Sequence, residues 1–172
     1  MQIKIEHFTA RRTLLFYLPE QNMPAAVFAT PKQPSESALI QSIVNLGSVI
    51  HCLLTPTLLA VKYAQNANPA DIQALTLAEL DENAAQIKIN EPIRNLPLEA
   101  ETLEAVTDAF IRPTLFRDNG DVEIIDCKDN ILTLRFCGHC AGCPYAQNTL
   151  NNVIMRVFRK YFPQITDVRM TE

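Results

Sequence analysis

The chain is poor in glycine, with only four glycines in 172 residues. Gly47, Gly120, Gly138 and Gly142 do not form the glycine-rich loop that cradles a phosphate group. The sequence also offers no plausible general base beside a nucleophile. We therefore expect a protein that is not an enzyme.

Long runs of one kind of residue are absent as well. The formal net charge is -4, and no run of Lys or Arg overrides it, so a general attraction to nucleic acid is excluded. No apolar run approaches the length of a membrane span, and residues 1–6 lack the basic start of a secretory leader. The sequence predicts a cytoplasmic protein that has neither nucleic acid nor a membrane as partner.

The composition is that of an ordinary soluble protein with an unusual use of cysteine. Hydrophobic residues make up 48% of the chain and charged residues 20%, which is enough for one moderate core or two small ones. The five cysteines are an odd set. In a reducing compartment such a set indicates metal or redox chemistry more than a disulfide framework.

Three of the cysteines, Cys137, Cys140 and Cys143, follow one another at three-residue intervals. They lie between an alternating apolar run at 131–136 and apolar residues at helical spacing over 150–161, which places them on a strand-to-helix loop. Paired thiols separated by two residues can hold one soft metal centre. The first turn of the following helix would aim unpaired N–H groups at them and favour thiolate over thiol.

The first half of the chain has the pattern of a small mixed domain. Its predicted elements are strands at 3–8 and 13–18, a helix from a cap at Ser35 to a stop at Gly47, a hairpin of strands at 49–54 and 58–63, and a helix at 69–81. A polar segment with two prolines follows over residues 85–100. We interpret this segment as a linker that ends a first domain at residues 1–84.

The second half has a shorter and cleaner pattern. Its predicted elements are a helix at 101–115, a polar turn at 117–121, strands at 122–126 and 131–136, the helix after the cysteines, and a strand at 165–170. The order helix, strand, strand, helix, strand predicts a three-stranded sheet covered by two helices. The expected fold class is α+β, with two small α/β-sandwich domains at 1–84 and 101–172.

A family resemblance is carried by residues spread over this second domain. The segments 119–124, 134–136, 140–144, 149–150 and 163–165 together resemble the C-terminal domain of NifU, the Nfu-type iron–sulfur cluster scaffold and carrier. The resemblance covers about residues 101–170. The N-terminal part is similar, more loosely, to the domain that precedes this one in many Nfu proteins.

The resemblance implies a function and a site. Cys140 and Cys143 from each of two chains would jointly hold one 4Fe-4S cluster at a two-fold interface, and the cluster would then pass to an apo-protein. The implied partners are apo iron–sulfur clients, upstream cluster assembly proteins and a second copy of the chain. The chain departs from the family at Asn119, where a glycine is usual, and at Tyr145, which adds bulk beside the cysteines. Because Asn enters the left-handed region more readily than most residues, we expect Asn119 to keep the turn of the family.

The residues alone leave other uses of the same cysteines open. A single pair such as Cys140 and Cys143 also suits a redox dithiol or a structural zinc half-site. The alternative function from another class is a small thiol-disulfide oxidoreductase or electron-transfer protein.

The other candidate ligands are also ambiguous. Cys137 extends the spacing to that of the first three ligands of a bacterial ferredoxin, yet it directly follows Phe136, the last residue of the predicted strand. His139 can act as a ligand or be an ordinary exposed loop histidine. Cys52 and Cys127 lie in apolar strand patterns, and we expect both in the core.

Overall fold

The structure is a computed structural model that describes residues 3–19, 26–35, 37–83, 95–145, 148 and 150–171. The chain divides into two compact units, Met1–Arg94 and Asn95–Glu172, and each has its own sheet. The prediction of an α+β fold is confirmed by the mixture of helices and sheets. Within the described part of the chain, no helix combines the length and the apolar character needed to cross a membrane.

The first unit is built on a five-stranded antiparallel sheet with the strand order β1-β2-β5-β4-β3. The strands are β1 Lys4–Phe8, β2 Thr13–Tyr17, β3 Val27–Ala29, β4 Val49–Thr55 and β5 Leu58–Tyr63, and the helices are α1 Ala38–Val44 and α2 Pro69–Asn83. The alternating apolar residues of these strands pack with both helices in one buried cluster. Sequence patterning missed β3, which is only three residues long.

The start and end of α1 differ from those that the sequence predicts. The hydroxyl of Ser37, and not that of Ser35, accepts a hydrogen bond from the Ile40 N–H and caps the helix. The oxygen of Ser35 instead accepts from the Ser37 N–H. The helix ends at Val44, three residues before Gly47, and Asn45 is its C-terminal cap.

The second unit has a three-stranded sheet with the order β6-β7-β8. Its strands are β6 Gly120–Lys128, β7 Ile131–Gly138 and β8 Asp167–Thr171, and its helices are α3 Ala100–Phe110, α4 Arg112–Arg117 and α5 Met155–Tyr161, with a π-helical turn at Leu150–Ile154 before α5. The single helix predicted at 101–115 is two helices that meet at Ile111. Pro113 accounts for the break, because it lacks an N–H and its ring clashes with the carbonyl of Ala109 in a continuous helix.

The sheet of the second unit joins an antiparallel hairpin to a parallel strand. Asp129 and Asn130 form the hairpin turn with φ angles of 51° and 61°, as a type I′ turn requires. Strand β8 returns parallel to β7, with Leu132 beside Val168 and Leu134 beside Met170. The carboxyl ends of β7 and β8 therefore lie at the same edge of the sheet, and the cysteine loop follows β7 at this edge.

One face of this sheet forms the core of the second unit. Leu132 and Leu134 of β7 are fully buried. Phe158 in α5 and Phe162 just after α5 are fully buried as well. Cys127 is only partly buried, so the prediction that it belongs to the core is wrong. It lies two residues before the exposed hairpin turn, where the strand pair reaches the surface.

Residues 85–94 of the predicted linker lie outside the described residues, but its last part belongs to the second unit. Leu96 is 4% exposed, and its carbonyl accepts a hydrogen bond of 2.9 Å from Gln164 Nε2. The carbonyl of Pro97 accepts from the Thr102 hydroxyl of α3. These contacts tie residues 95–99 to the second unit before α3 begins at Ala100.

We expect a fragment from Asn95 to Glu172 to unfold cooperatively on its own, since its apolar residues form a core of their own. Starting the fragment at Glu101 should lower its free energy of unfolding by about 2 kcal/mol, because the buried Leu96 side chain is lost. Urea unfolding followed by circular dichroism measures both values. Equal stability of the two fragments would contradict the packing of Leu96, and a fragment from Asn95 that has no transition would contradict independent folding.

Candidate metal centre

The cysteine loop is made of two successive tight turns at the end of β7. The Ala141 N–H donates to the Gly138 carbonyl at 3.1 Å, and the Cys143 N–H donates to the Cys140 carbonyl at 3.3 Å. Gly142 has a φ of +76°, the left-handed value that a type II turn needs at its third position. Cys140 and Cys143 are the first and fourth residues of that turn, so their Cα atoms are held within about 7 Å of each other.

Both cysteines line one open concavity of about 500 Å³. The other lining residues are Ala141, Gly142, Phe136, Met170 and Thr171. Phe136 is near the end of β7, and Met170 and Thr171 are at the end of β8, so parallel pairing brings them to the same edge. The concavity thus offers two soft sulfur donors beside apolar side chains, a set that suits a soft metal centre.

The position of Cys140 depends on two glycines that pair across β6 and β7. A Cβ added to Gly120 would lie 2.0 Å from Cys140 Sγ, so the sulfur fills the space that any other residue would need. Its partner Gly138 has a φ of +61°, and a Cβ there would lie 2.5 Å from the Asn119 carbonyl oxygen. Asn119 itself has a φ of 54°, which confirms the expectation that it takes a left-handed conformation in place of a glycine.

The surroundings of Cys140 favour its protonated form. Burial raises the pKa of Cys140, and the nearby charges of Cys143, Asp118, Asp121 and Cys137 raise it further. The prediction that a helix N-terminus favours the thiolate is therefore wrong for this residue. Metal binding at Cys140 must displace a proton, since only the thiolate is a ligand.

Cys137 has a different setting from the other two cysteines. Strand β7 continues through Gly138, so Cys137 is a strand residue and not the start of the loop. Side chains alternate along a strand, and Phe136 points to the face that lines the concavity, so Cys137 points to the opposite face. Its Sγ lies 3.9 Å from the Arg135 carbonyl oxygen.

Among the described residues, no group of three or more His, Cys, Asp or Glu side chains is placed to hold a metal ion together.

The remaining candidates from the sequence are not among the residues that line the concavity. The His139 side chain is exposed, and its backbone N–H donates to the Asn119 carbonyl at 3.0 Å. Cys52 is fully buried in the first unit, as expected, and burial strongly raises the pKa of its thiol.

Three residues of the site were missed by sequence reasoning. Phe136 and Met170 read as ordinary apolar strand residues, and only the parallel pairing of their strands shows that they share a wall with the cysteines. Gly120 was assigned to a turn, whereas its main role is to make room for Cys140. The one available signal in the sequence was the pair Asn119-Gly120. Such a pair indicates a tight turn of the backbone, but it does not indicate which side chain packs on the glycine.

Comparison with known proteins identifies a family for most of the second unit and a similar small protein. The family described as the NifU-like domain matches residues 103–169. An uncharacterized 10.3 kDa protein in the vnfA 5'region of Azotobacter vinelandii is 40% identical over 76 residues, which are 44% of this chain and 74% of that protein.

Longer relatives match over a similar share of the chain. The NifU-like scaffold protein of Plasmodium falciparum is 41% identical over 37% of this chain and 26% of its own length. NifU-like protein 2, chloroplastic, of Arabidopsis thaliana is 35% identical over 45% of this chain and 33% of its own length. The chain thus spans a third or less of these two relatives.

Solved structures are also similar to part of the chain. The crystal structure of protein SAV1430 from Staphylococcus aureus is 18% identical, with a TM-score of 0.40, over 46% of this chain and 99% of that one. The sequence matches decide the assignment. The family match over residues 103–169 and the 40% identity over 74% of the small Azotobacter protein show that this chain belongs to the NifU-like domain family.

Proposed function

We propose that this protein is an iron–sulfur cluster scaffold and carrier that binds a 4Fe-4S cluster through Cys140 and Cys143 and transfers it to apo-proteins. The observation that carries the proposal is the placement of both cysteines in the wall of one open concavity. The Plasmodium relative, which is 41% identical over 64 residues, is named a NifU-like scaffold protein. In this role the cluster is cargo and not a resident cofactor.

The number of thiols supports a site shared by two chains. A cubane cluster takes four thiolates, and one concavity supplies two, Cys140 and Cys143. A second copy related by a two-fold axis would bring the other pair through the same surface. Such a site is also reversible, because separation of the chains removes half of the ligands.

The exposed face of the concavity suits both loading and release. Phe136 and Met170 are only partly buried beside the cysteines, so they can be covered when a second surface arrives. Covering them removes apolar area from water and excludes solvent from the sulfurs. The partner surface is that of a second copy during storage and that of an apo client or an upstream assembly protein during transfer.

The test is anaerobic reconstitution of the whole chain with iron and sulfide. We expect a broad visible absorption of a 4Fe-4S cluster, a matching electron paramagnetic resonance signal after reduction, and activation of an apo 4Fe-4S enzyme on mixing. A protein that takes up no cluster but reduces disulfides, or one that binds zinc alone, would overturn the proposal.

The reducing compartment that this chemistry needs is, in our proposal, the cytoplasm.

We further expect the fragment from Asn95 to Glu172 to take up as much iron per chain as the whole protein and to deliver it more slowly. Both candidate ligands belong to the second unit, whereas the first unit, Met1–Arg94, is proposed to position partners. Transfer to several apo clients at equal cluster concentration measures the difference. Transfer by the fragment at the rate of the whole chain, for every client, would contradict a role of the first unit in delivery.

A further inference from the structure

The thiol of Cys140 is seated directly on the first residue of β6. The sulfur occupies the place of the missing Cβ of Gly120, and the Cys140 Cβ and backbone nitrogen are 3.1 Å and 3.3 Å from that same point. Sγ, Cβ and the backbone nitrogen of Cys140 are therefore all packed against Gly120, with no space for Gly120 to move without moving Cys140. Interactions that hold Gly120 in place therefore also hold the Cys140 sulfur in place.

The two residues after Gly120 are held by a buried cation. Arg112, the first residue of α4, is 1% exposed. Its Nε donates to Asp121 Oδ1 at 3.1 Å and to the Val122 carbonyl at 3.2 Å, and its Nη2 donates to the same carbonyl at 2.9 Å. Asp121 Oδ1 also accepts from the Val122 N–H at 2.7 Å. The start of β6 is thus bound at side chain and backbone.

The other end of the same guanidinium is bound to α3. Arg112 Nη1 donates to Asp108 Oδ1 at 2.7 Å and to Glu104 Oε2 at 2.5 Å. Burial by itself would lower the pKa of Arg112, but the hydrogen bonds and charges of Glu104 and Asp108 outweigh it and raise the pKa. The group stays charged, and its rigid fork joins the helical layer to the strand.

We propose that Arg112 is a positioning residue for Cys140, which it holds in place through Asp121, Val122 and Gly120. The inference rests on the proposed function for its purpose, since a ligand must be placed within a fraction of an ångström to share a cluster. The effect on the thiol itself does not require a cluster. When the hydrogen bonds to Asp121 and Val122 are lost, the start of β6 becomes mobile, and the Cys140 thiol packed on it becomes more accessible to solvent.

The test is the alkylation rate of each cysteine in metal-free, reduced protein, measured by iodoacetamide pulses and mass spectrometry with fragment ions that separate Cys140 from Cys143. The variants are Arg112→Lys, Asp121→Ala and Asp121→Asn. Lysine keeps the charge without the fork, whereas Asn keeps an oxygen that can accept from both Arg112 and the Val122 N–H. The matched control is Arg169→Lys, because Arg169 pairs with Asp167 at the surface of β8.

We expect Arg112→Lys and Asp121→Ala to speed alkylation of Cys140 by about tenfold and to leave Cys143 within about twofold of wild type. Arg169→Lys should match wild type at both cysteines. Asp121→Asn should match it at Cys143 and should speed alkylation of Cys140 only by the small effect of losing the Asp121 charge, well below the rise in Asp121→Ala. The comparison of Ala with Asn removes the effect of the Asp121 charge, which both variants lose. Should Arg112→Lys fail to fold, by circular dichroism, the two Asp121 variants decide alone.

An unchanged Cys140 rate in folded Asp121→Ala, an equal rise at Cys143, or an equal rise in Asp121→Asn would overturn the inference. None of these outcomes depends on a cluster. Failure of the proposed function has its own signature, because wild-type protein would then take up no iron–sulfur cluster while the alkylation pattern could still follow Arg112 and Asp121.

Discussion

Replacing either Cys140 or Cys143 with serine should reduce the iron and sulfide held after anaerobic reconstitution to below about a tenth of the wild-type content. Each substitution removes a thiolate from both halves of a shared site, so one change in the gene costs the cluster two of its ligands. The serine hydroxyl is a harder and much less acidic donor that does not replace a thiolate. Iron and sulfide assays on gel-filtered protein give the result directly.

The matched control for these variants is Cys137→Ser. Cys137 is a strand residue whose side chain points to the face of β7 opposite Phe136 and the concavity. We expect it to keep the absorbance and iron content of wild type. Loss of the cluster in Cys137→Ser with an unchanged circular dichroism spectrum would replace the two-cysteine site with a three-cysteine site.

Replacing Gly120 with alanine should weaken cluster retention by about 10- to 100-fold without removing any ligand. The new methyl group would meet Cys140 Sγ at 2.0 Å, so either the cysteine or the start of β6 must move. Overpacking of this kind also costs about 1–3 kcal/mol of folding stability. Competition with an iron chelator measures retention, and urea unfolding of the metal-free protein measures the stability change.

Gly47→Ala is the control for a general effect of losing a glycine. A Cβ at Gly47 meets nothing within 4 Å, and the residue lies in the first unit, so retention and stability should both stay near wild type. If Gly120→Ala kept its iron as long as Gly47→Ala does, the contact with Cys140 would have no part in holding the cluster.

Much of the site could be predicted from sequence because its features are local. The alternation at 131–136 and the spacing of Cys140 and Cys143 were sufficient to place both thiols on a loop after a strand, which the structure has. Asn119 was expected to turn in place of a glycine, and its φ of 54° confirms this. These features depend only on neighbours along the chain.

The parts that could not be predicted depend on contacts between distant residues. The packing of Cys140 on Gly120 follows from the register that sets Gly120 beside Gly138. The raised pKa of Cys140 follows from burial and from acidic residues brought near by the fold, whereas sequence reasoning considered only the adjacent helix. The ion pairs of Arg112 join two helices and a strand, and an arginine beside a proline gives no sign of them.

The most direct test of the shared site is the mass of the protein that carries the cluster, measured together with its iron content. Sedimentation of reconstituted wild-type protein should show a dimer that holds about four iron atoms per two chains, and the metal-free protein should sediment as a monomer. A monomer that holds about four iron atoms per chain would contradict the account, because Cys140 and Cys143 of one chain would then be joined by ligands that it does not include.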